Sequence, residues 1–350
     1  MFKFTELKRV HLEITNNCQA ACPMCNRNWH GGLENPLIKN QNWSLDDFKS
    51  IISQEVLNQI SGLYFCGNFG DPMLNNDLIE MCKHTDNIAP SIKVDIHTNA
   101  GARLPSWWES LAHALPVNHM VFFGIDGLED THHLYRVNTQ FNTVLNNARA
   151  FINAGGNAEW VFIKFKHNEH QVETARQMSQ ELGFKNFTVK NSSRFIIDSK
   201  VKVLNRNGEH LYYIEQPSDS TLKIVDKHTI DTFVDIAGAA TIACKVLNDK
   251  EVYIDAYKNL YPCSWLGSMP YSYLEPDETQ ELRLKMYNQH QEIANRLGST
   301  NTQDRSVRHI IESNEYQTVW QEYWSAFKLL TCARVCGTVK KFSQPKDQVT

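Results

Sequence analysis

The first two-thirds of the chain predicts an α/β fold, because short apolar segments typical of strands alternate with amphipathic segments typical of helices. The six predicted strands span residues 10–14, 63–66, 92–96, 120–123, 160–166 and 187–190. Repeated strand–helix units of this kind imply a parallel sheet with right-handed crossovers. A doubly wound open sheet and a partial barrel both fit the alternation, so the positions of the polar loops are needed to choose between them.

The segments between the predicted strands carry helix signals. Ser44-Leu-Asp-Asp47 resembles a capping box and begins a helix whose apolar face is formed by Phe48, Ile51, Ile52 and Ile60. Further helices are predicted over residues 78–83, 107–115, 141–154 and 170–182. The last two of these segments are followed by glycine, which helix C-termini favour.

The alternation stops near residue 193, which predicts a different architecture for the rest of the chain. Residues 200–213 have strand character around the turn signal Asn205-Arg-Asn-Gly208. Residues 243–267 carry two short strands, and residues 276–330 are polar and mostly helical. We therefore expect a βα domain over residues 1–195, a connecting hairpin and linker over 196–239, and a C-terminal α+β domain over 240–350 with a helical insert at 276–330.

Composition limits the functional classes that the chain can belong to. The net charge is −4 without a basic block, which does not favour nucleic-acid binding. No run approaches the ~20 apolar residues of a membrane span, and the N-terminal segment lacks an apolar signal region, so we expect a cytoplasmic protein without membrane association. Nine cysteines, an odd number, favour metal or cluster ligation over a disulfide framework.

Three cysteines lie together directly after the first predicted strand, in Cys18-Gln-Ala-Ala-Cys22-Pro-Met-Cys25. Three thiolates on one loop can hold three irons of a cubic iron–sulfur cluster, which normally takes four cysteines. The fourth iron is then open to a ligand that is not protein, and an open position is what distinguishes a catalytic metal site from a structural one. The alternative is a zinc site, with His11 or His30 as a fourth ligand.

Polar loops follow three further strands at their carboxyl ends. They are Gly67-Asn-Phe-Gly-Asp-Pro72, His97-Thr-Asn99 and Gly124-Ile-Asp-Gly127. In barrel-like βα folds the carboxyl ends of the strands form the catalytic rim. Together with the cysteine loop, these segments favour the barrel over the open sheet.

The cysteine loop and the rim motifs resemble those of the radical S-adenosylmethionine (SAM) enzymes. The run from Gly124-Ile-Asp-Gly127 through Arg136 to Phe141-x2-Val144-x2-Asn147 is similar to a motif of the subgroup with a cysteine-rich SPASM or twitch extension. The resemblance implies a partial (β/α)6 TIM-like barrel. It also implies that SAM occupies the open iron of a [4Fe–4S] cluster held by Cys18, Cys22 and Cys25.

The resemblance further implies roles for individual residues. Gly67, Asn68 and Gly70 would hold the amino group of SAM, and they are better candidates than the side chain of Asp71, which stands where the family more often has Glu. Arg136 would pair with the SAM carboxylate, for which a guanidinium is well suited. Met24 would pack near the adenine. Gly124 replaces a serine that often contacts the ribose, and we expect Thr98 or Asn99 to supply that contact.

Four more cysteines, in the pairs Cys244/Cys263 and Cys332/Cys336, form a C-terminal set. Four thiolates suit one fully ligated [4Fe–4S] cluster or one zinc ion. The segment from Cys244 to Gly267 resembles the opening of the SPASM/twitch domain, which favours one auxiliary cluster. Because such a cluster has no open iron, we expect a role in electron relay or scaffolding.

Other cysteines and histidines are weaker candidates. Cys66 and Cys82 fit ordinary core positions, although Cys66 adjoins the Gly67 loop and could lie near substrate. His97 and His167 stand at predicted strand ends and are candidates for proton transfer.

The resemblance implies an enzyme that cleaves SAM reductively to a 5′-deoxyadenosyl radical, which then takes a hydrogen atom from a peptide or small-molecule substrate. Such a reaction needs a reductant of the flavodoxin or ferredoxin type. Two other functions stay open: a zinc-binding scaffold without catalysis, and an iron–sulfur electron-transfer protein.

Overall fold

The fold is described from a computed structural model. The structure describes residues 1–192, 194–195, 198–220, 240–275, 280–325 and 329–337. Parts of the predicted linker 196–239, of the predicted insert 276–330 and of the C-terminal end of the chain lie outside these ranges, so the predicted domain boundaries stay predictions.

A mostly parallel sheet organises the chain. The strands are β1 (Arg9–Leu12), β2 (Asn28–Trp29), β3 (Leu33–Glu34), β4 (Gly62–Phe65), β5 (Lys93–Thr98), β6 (His119–Gly124), β7 (Ala158–Lys164), β8 (Asn186–Asn191), β9 (Lys200–Leu204), β10 (His210–Glu215), β11 (Glu251–Ile254) and β12 (Leu260–Tyr261). Eight of them form one sheet in the order β12-β11-β1-β4-β5-β6-β7-β8. Strands β1 and β4 to β8 are parallel neighbours in chain order, which confirms the α/β class and the partial (β/α)6 barrel predicted from the sequence.

Helices follow most of the sheet strands. They are α1 (Leu45–Ile51), α2 (Gln54–Gln59), α3 (Leu78–Ile88), α4 (Pro105–Ala114), α5 (His132–Tyr135), α6 (Phe141–Asn153), α7 (Val172–Glu181), α8 (Lys245–Asp249), α9 (Ser264–Ser268), α10 (Gln280–Leu297), α11 (Val307–Glu312), α12 (Asn314–Ser325) and α13 (Leu330–Cys336). The four helices predicted after residue 77 in the barrel are present. In the described ranges, none of the helices combines the length and the apolar character needed to cross a membrane.

The prediction of a single helix from Ser44 to Ile60 is wrong, because the chain forms two helices there. Ser44 caps α1 as predicted: its hydroxyl accepts from the Asp47 N–H at 3.1 Å, and the Asp47 carboxylate accepts from the Ser44 N–H at 3.0 Å. The helix then stops at Ile52, and Ser53 caps α2 by accepting from the Val56 N–H. A second residue suited to an N-cap divides the apolar segment.

The two faces of the sheet have different environments because side chains alternate along each strand. Residues such as Val10, Phe65 and Phe123 are fully buried in the main core together with residues of the helices. The alternate residues, among them His11 and Tyr64, line a cavity. This inner wall carries more polar side chains than the outer core, and it is the wall that faces the cavity.

The C-terminal part of the chain extends the barrel sheet. Strand β11 pairs in parallel with β1, and β12 pairs antiparallel with β11. Residues of α10, α11 and α12, including Ile293, Ile310 and Trp320, belong to the same hydrophobic core as the barrel helices. The two C-terminal strands predicted from the sequence are thus present, and tertiary packing joins them to the first sheet.

Two hairpins, β2–β3 directly after the cysteine loop and β9–β10 after the last barrel strand, lie in contact with each other. The predicted hairpin is present as β9 and β10, with Gly208 at a φ of +81°, in the left-handed region that favours glycine. The two-residue strands β2 and β3 were not predicted. The two hairpins meet where the Leu204 N–H donates to the His30 carbonyl at 2.8 Å.

Candidate active site

A cavity of about 680 Å³ lies at the carboxyl ends of the barrel strands. Every residue that the sequence predicted for the first cluster and for SAM lines it: Cys18, Cys22, Met24, Cys25, Gly67, Asn68, Gly70, Asp71, Thr98, Asn99, Gly124 and Arg136. These residues come from separate loops that are distant in sequence. Parallel strands bring the loops together at one edge of the sheet.

Two side chains can donate hydrogen bonds to sulfur atoms of the cysteine loop. Asn99 Nδ2 lies 3.5 Å from Cys18 Sγ, and Arg136 Nη1 lies 3.9 Å from Cys22 Sγ. Burial raises the pKa of Cys22 to about 11, while the Arg136 guanidinium acts to lower it. Burial also raises the pKa of Cys18 well above its ordinary value. Binding of a metal or cluster would therefore have to displace protons from these thiols.

The cysteines of both sets do not converge on a single ion. Among the described residues, no three Cys, His, Asp or Glu side chains are arranged to hold one metal ion. A mononuclear zinc site needs its ligands at about 2.0–2.3 Å from one point. In a cubic cluster, each cysteine binds its own iron, so the sulfur atoms stand further apart.

The Asp71 carboxylate connects two loops of the rim through hydrogen bonds to both of its oxygen atoms. The carboxylate accepts from the Thr98 hydroxyl at 2.8 Å and from the backbone and side-chain N–H groups of Asn99, both at 2.7 Å. It also accepts from the Met73 N–H at 3.2 Å. Burial raises the pKa of Asp71, and the hydrogen bonds from Asn99 and Thr98 oppose that shift. The side chain therefore shapes the rim and has little capacity left for a ligand.

Glycine is required at two positions of the turn that precedes Asp71. A Cβ at Gly70 would lie 1.8 Å from the Thr15 carbonyl oxygen, and a Cβ at Gly67 would lie 2.5 Å from the Gly70 carbonyl oxygen. Both atoms belong to the backbone and cannot move aside cheaply. Gly70 thus lets the turn pack against Thr15, in the segment that leads into the cysteine loop, and Gly67 lets the turn fold closely on itself.

Glu13 supports the same turn and was missed as a functional residue. Its Oε1 accepts from the N–H groups of Phe69 at 2.7 Å and Gly70 at 3.0 Å, and its Oε2 accepts from the Tyr253 hydroxyl at 2.6 Å. Burial raises the pKa of Glu13, and these hydrogen bonds act in the opposite direction. The available sequence signal was a carboxylate inside the apolar first strand segment.

Gly124, where the family often has serine, makes room for Arg136. A Cβ at Gly124 would lie 2.3 Å from Arg136 Nη2. The guanidinium is held by Asp126, whose carboxylate lies 2.6 Å from Arg136 Nε and also accepts from the Ile163 N–H at 2.5 Å. Asp126 is completely buried and orients the arginine at the cavity wall. Its position inside the Gly-Ile-Asp-Gly motif was the signal that could have identified this role.

Met24 is buried in a small apolar cluster beside the cysteine loop. The cluster also contains Tyr135, Phe165 and Phe195. The Arg194 guanidinium donates to the Met24 carbonyl, so the residue is held through both its backbone and its side chain.

The weaker candidates fall in different places. Cys66 and His97 line the cavity, whereas Cys82 is fully buried in the main core. His97 stacks on Phe122 with ring centroids 4.2 Å apart, and burial lowers its pKa well below the ordinary value. His167 is not among the cavity residues and stacks on Phe165.

The four C-terminal cysteines lie near one another. Cys244 precedes α8, Cys263 precedes α9, and Cys332 and Cys336 stand one turn apart on α13. Burial raises the pKa of Cys332, and the other three cysteines add to the shift, as expected for neighbouring thiols. The cavity reaches this region through Thr331, Arg334 and Val335 of α13.

Comparison with known proteins identifies the barrel segment. Residues 12–179 match the model of the Radical SAM superfamily. This segment includes the cysteine triad, the three rim loops and Arg136. Residues 12–179 are therefore similar to a radical SAM domain, whose superfamily consists of enzymes that use SAM and a [4Fe–4S] cluster. No curated protein matches the chain in sequence.

Solved structures share the fold at low sequence identity. The hexahistidine-tagged anSMEcpe with bound AdoMet gives a TM-score of 0.55 at 15% identity, over 94% of this chain and 88% of that one. SuiB from Streptococcus suis bound to S-adenosylmethionine gives 0.54 at 13% identity, over 91% of this chain and 68% of that one. The aligned regions extend beyond the barrel into the C-terminal part of this chain. At these identities, the similarity shows the fold alone.

Proposed function

We propose that this protein is a radical SAM enzyme in which Cys18, Cys22 and Cys25 hold a [4Fe–4S] cluster whose open iron takes SAM. The observation that carries the proposal is the cavity lined both by the triad and by all nine residues named as candidates for the SAM site. Zinc-binding scaffolds and electron-transfer proteins have no need of a nucleoside-sized cavity beside the metal ligands.

The residues present fit such a cluster and its ligand. Donors from Asn99 and Arg136 near two of the three sulfur atoms favour the thiolate forms that bind iron. When bound, the cluster and SAM together supply one-electron cleavage of the sulfonium and a 5′-deoxyadenosyl radical.

The protein's own groups would bind and orient the cofactor. Arg136, held by Asp126, offers its guanidinium to the SAM carboxylate. The carbonyl groups of the turn from Gly67 to Gly70 would accept from the amino group, and Met24 would pack against the adenine. Because hydrogen-atom transfer requires close approach of the reacting atoms, positioning of the substrate in the rest of the cavity would determine specificity.

We propose a peptide as the substrate, with a small molecule as the alternative. SuiB has been solved bound to the precursor peptide SuiA, and anSMEcpe with AdoMet and the Cp18Cys peptide. The cavity of this chain continues past the cysteine triad to Trp265, Arg283 and α13, which supports a substrate larger than a single metabolite.

The C-terminal cysteines are proposed to hold one auxiliary [4Fe–4S] cluster, with zinc as the alternative. The proximity of four buried or half-buried thiols beside the cavity supports a site at this position. We also propose a flavodoxin- or ferredoxin-type reductant as the electron donor.

The test is anaerobic reconstitution followed by metal analysis and a SAM-cleavage assay. Iron and sulfide are counted, dithionite and SAM are added, and 5′-deoxyadenosine is measured. We expect cleavage by the wild type and none by Cys18→Ala, Cys22→Ala or Cys25→Ala. Cys82→Ala is the matched control, because Cys82 is buried away from the cavity. Zinc alone at the triad, or no 5′-deoxyadenosine from an iron-loaded wild type, would overturn the proposal.

A further inference from the structure

We propose that Glu13 and Tyr253 are positioning residues for SAM: they fix the orientation of the turn from Gly67 to Gly70 from the side opposite the cavity. This inference rests on the proposed function, because it names the groups that prepare the turn for the amino group of SAM. It is carried by a closed set of hydrogen bonds among described residues.

Glu13 holds two consecutive peptide groups of the turn. One carboxylate oxygen accepts from the N–H groups of Phe69 and Gly70, at 2.7 and 3.0 Å. In a trans peptide the C=O points opposite to the N–H. The carbonyl oxygens of Asn68 and Phe69 are therefore directed away from Glu13.

The side of the turn opposite Glu13 is the one that faces the cavity. Gly67, Asn68, Phe69 and Gly70 all line it, and Glu13 is not among the lining residues. A row of peptide carbonyls on that side suits a ligand with an ammonium group, which has hydrogen-bond donors and no acceptor. Glu13 therefore sets the polarity of the turn without touching the ligand.

Tyr253 fixes Glu13 and closes the network. Its hydroxyl donates to the second carboxylate oxygen of Glu13 at 2.6 Å and accepts from Asn68 Nδ2 at 3.1 Å. Asn68 Nδ2 also donates to the Ser264 carbonyl at 2.8 Å. The turn is thus fastened to the end of β1 through Glu13, to β11 through Tyr253, and to the residue that follows Cys263.

The arrangement is more specific than a buried carboxylate that only stabilises the fold. Glu13 is 1% exposed and Tyr253 is 0% exposed, and the hydrogen bonds that Glu13 accepts come from the turn and from Tyr253. Their hydrogen bonds end on the turn and not on a cationic side chain. The two amides that Glu13 holds belong to the turn that lines the cavity, so the binding measurement below can separate positioning from stability.

The experiment measures the Kd for SAM by anaerobic titration calorimetry of the reconstituted protein, with SAM itself as the probe. We expect Glu13→Ala to raise the Kd about tenfold or more and Tyr253→Phe to raise it about fivefold, since each removes hydrogen bonds that orient the turn. Glu13→Gln keeps an acceptor oxygen for the two amides and should restore most of the affinity. In the cleavage assay the variants should raise KM for SAM more than they lower kcat.

Matched controls separate positioning from stability. Glu251→Gln is the control for Glu13, because Glu251 is also a buried carboxylate, and Tyr316→Phe is the control for Tyr253, because it also removes a buried hydroxyl. Neither Glu251 nor Tyr316 lines the cavity. Both should leave the Kd for SAM unchanged. Iron content and the unfolding midpoint are measured for every variant, and Tyr253→Phe keeps the test open if Glu13→Ala does not fold.

The outcomes are distinct for the two proposals. A wild type that binds SAM, with Glu13→Ala and Tyr253→Phe binding it equally well, sinks this inference and leaves the proposed function standing; if Glu13→Ala does not fold, an unchanged Kd for Tyr253→Phe sinks it alone. An equal loss of affinity in the controls also contradicts it. An iron-loaded wild type that does not bind SAM overturns both.

Discussion

Replacing Asp126 by asparagine is expected to destabilise the protein because it leaves the Arg136 charge without its partner. The Asp126 side chain is 0% exposed and that of Arg136 is 18% exposed, with 2.6 Å between Oδ2 and Nε. Asparagine can still accept from the Ile163 N–H through its carbonyl. The side-chain NH2 group of the asparagine would then face the Arg136 Nε–H group, so two hydrogen-bond donors would oppose each other.

The magnitude follows from the burial of the pair. Breaking a buried ion pair by removing one partner costs about 3–5 kcal/mol, and the partial exposure of Arg136 at the cavity reduces this to about 2–3 kcal/mol. For a chain of 350 residues the entropy of unfolding is about 0.7 kcal/mol/K near 60 °C. The expected drop in Tm is therefore about 3–4 °C.

Thermal unfolding by calorimetry without oxygen measures this shift. Asp130→Asn is the control, because Asp130 is an exposed carboxylate on the same loop whose hydrogen bond from Gln171 an asparagine can keep. The double variant Asp126→Asn/Arg136→Gln should recover part of the lost stability, since the unpaired charge is gone. An Asp126→Asn protein that melts within about 1 °C of the wild type would refute the reasoning.

Three further outcomes are expected. Cys332→Ala should lower the iron content of the reconstituted protein from about eight to about four iron atoms per chain, while SAM cleavage persists. An unchanged iron content would contradict an auxiliary cluster. Burial lowers the pKa of His11 from 6.5 to about 3, so the folded state binds a proton at this residue less well than the unfolded state does. The free energy of unfolding should therefore fall as the pH drops from 6.5 toward 3, by up to about 1.4 kcal/mol per pH unit. Urea titrations at several pH values should show a weaker pH dependence for His11→Gln. Ser53→Ala should cost about 1 kcal/mol through loss of the α2 cap, and an unchanged urea midpoint would show that the cap contributes nothing.

The barrel could be predicted because its signals are local. Apolar strands, polar loops at their carboxyl ends and an N-cap such as Ser44 are all read from a few neighbouring residues. The split between α1 and α2 was missed because the apolar periodicity continued across Ser53, and a hydroxyl that fits a cap also fits a helix surface. Strands β2 and β3 were missed because two residues carry no periodicity.

The contacts within the candidate site could not be predicted in the same way. Gly124 gave the expectation of a lost ribose contact, whereas the structure shows that its missing side chain leaves space for Arg136. Glu13 and Tyr253 are 240 residues apart and meet only because β11 pairs with β1. No pattern in a single sequence specifies such a pairing.

The sequence by itself determined the order of the strands, the cysteine spacings and the residue types available at the rim, because these depend on local preferences and on chemistry that each side chain carries with it. Only the tertiary structure decided which buried carboxylate faces which amide, and that the C-terminal strands continue the barrel sheet. The reason is physical: a buried polar group must find a partner, and the fold, not the neighbouring sequence, determines which one lies within hydrogen-bonding distance.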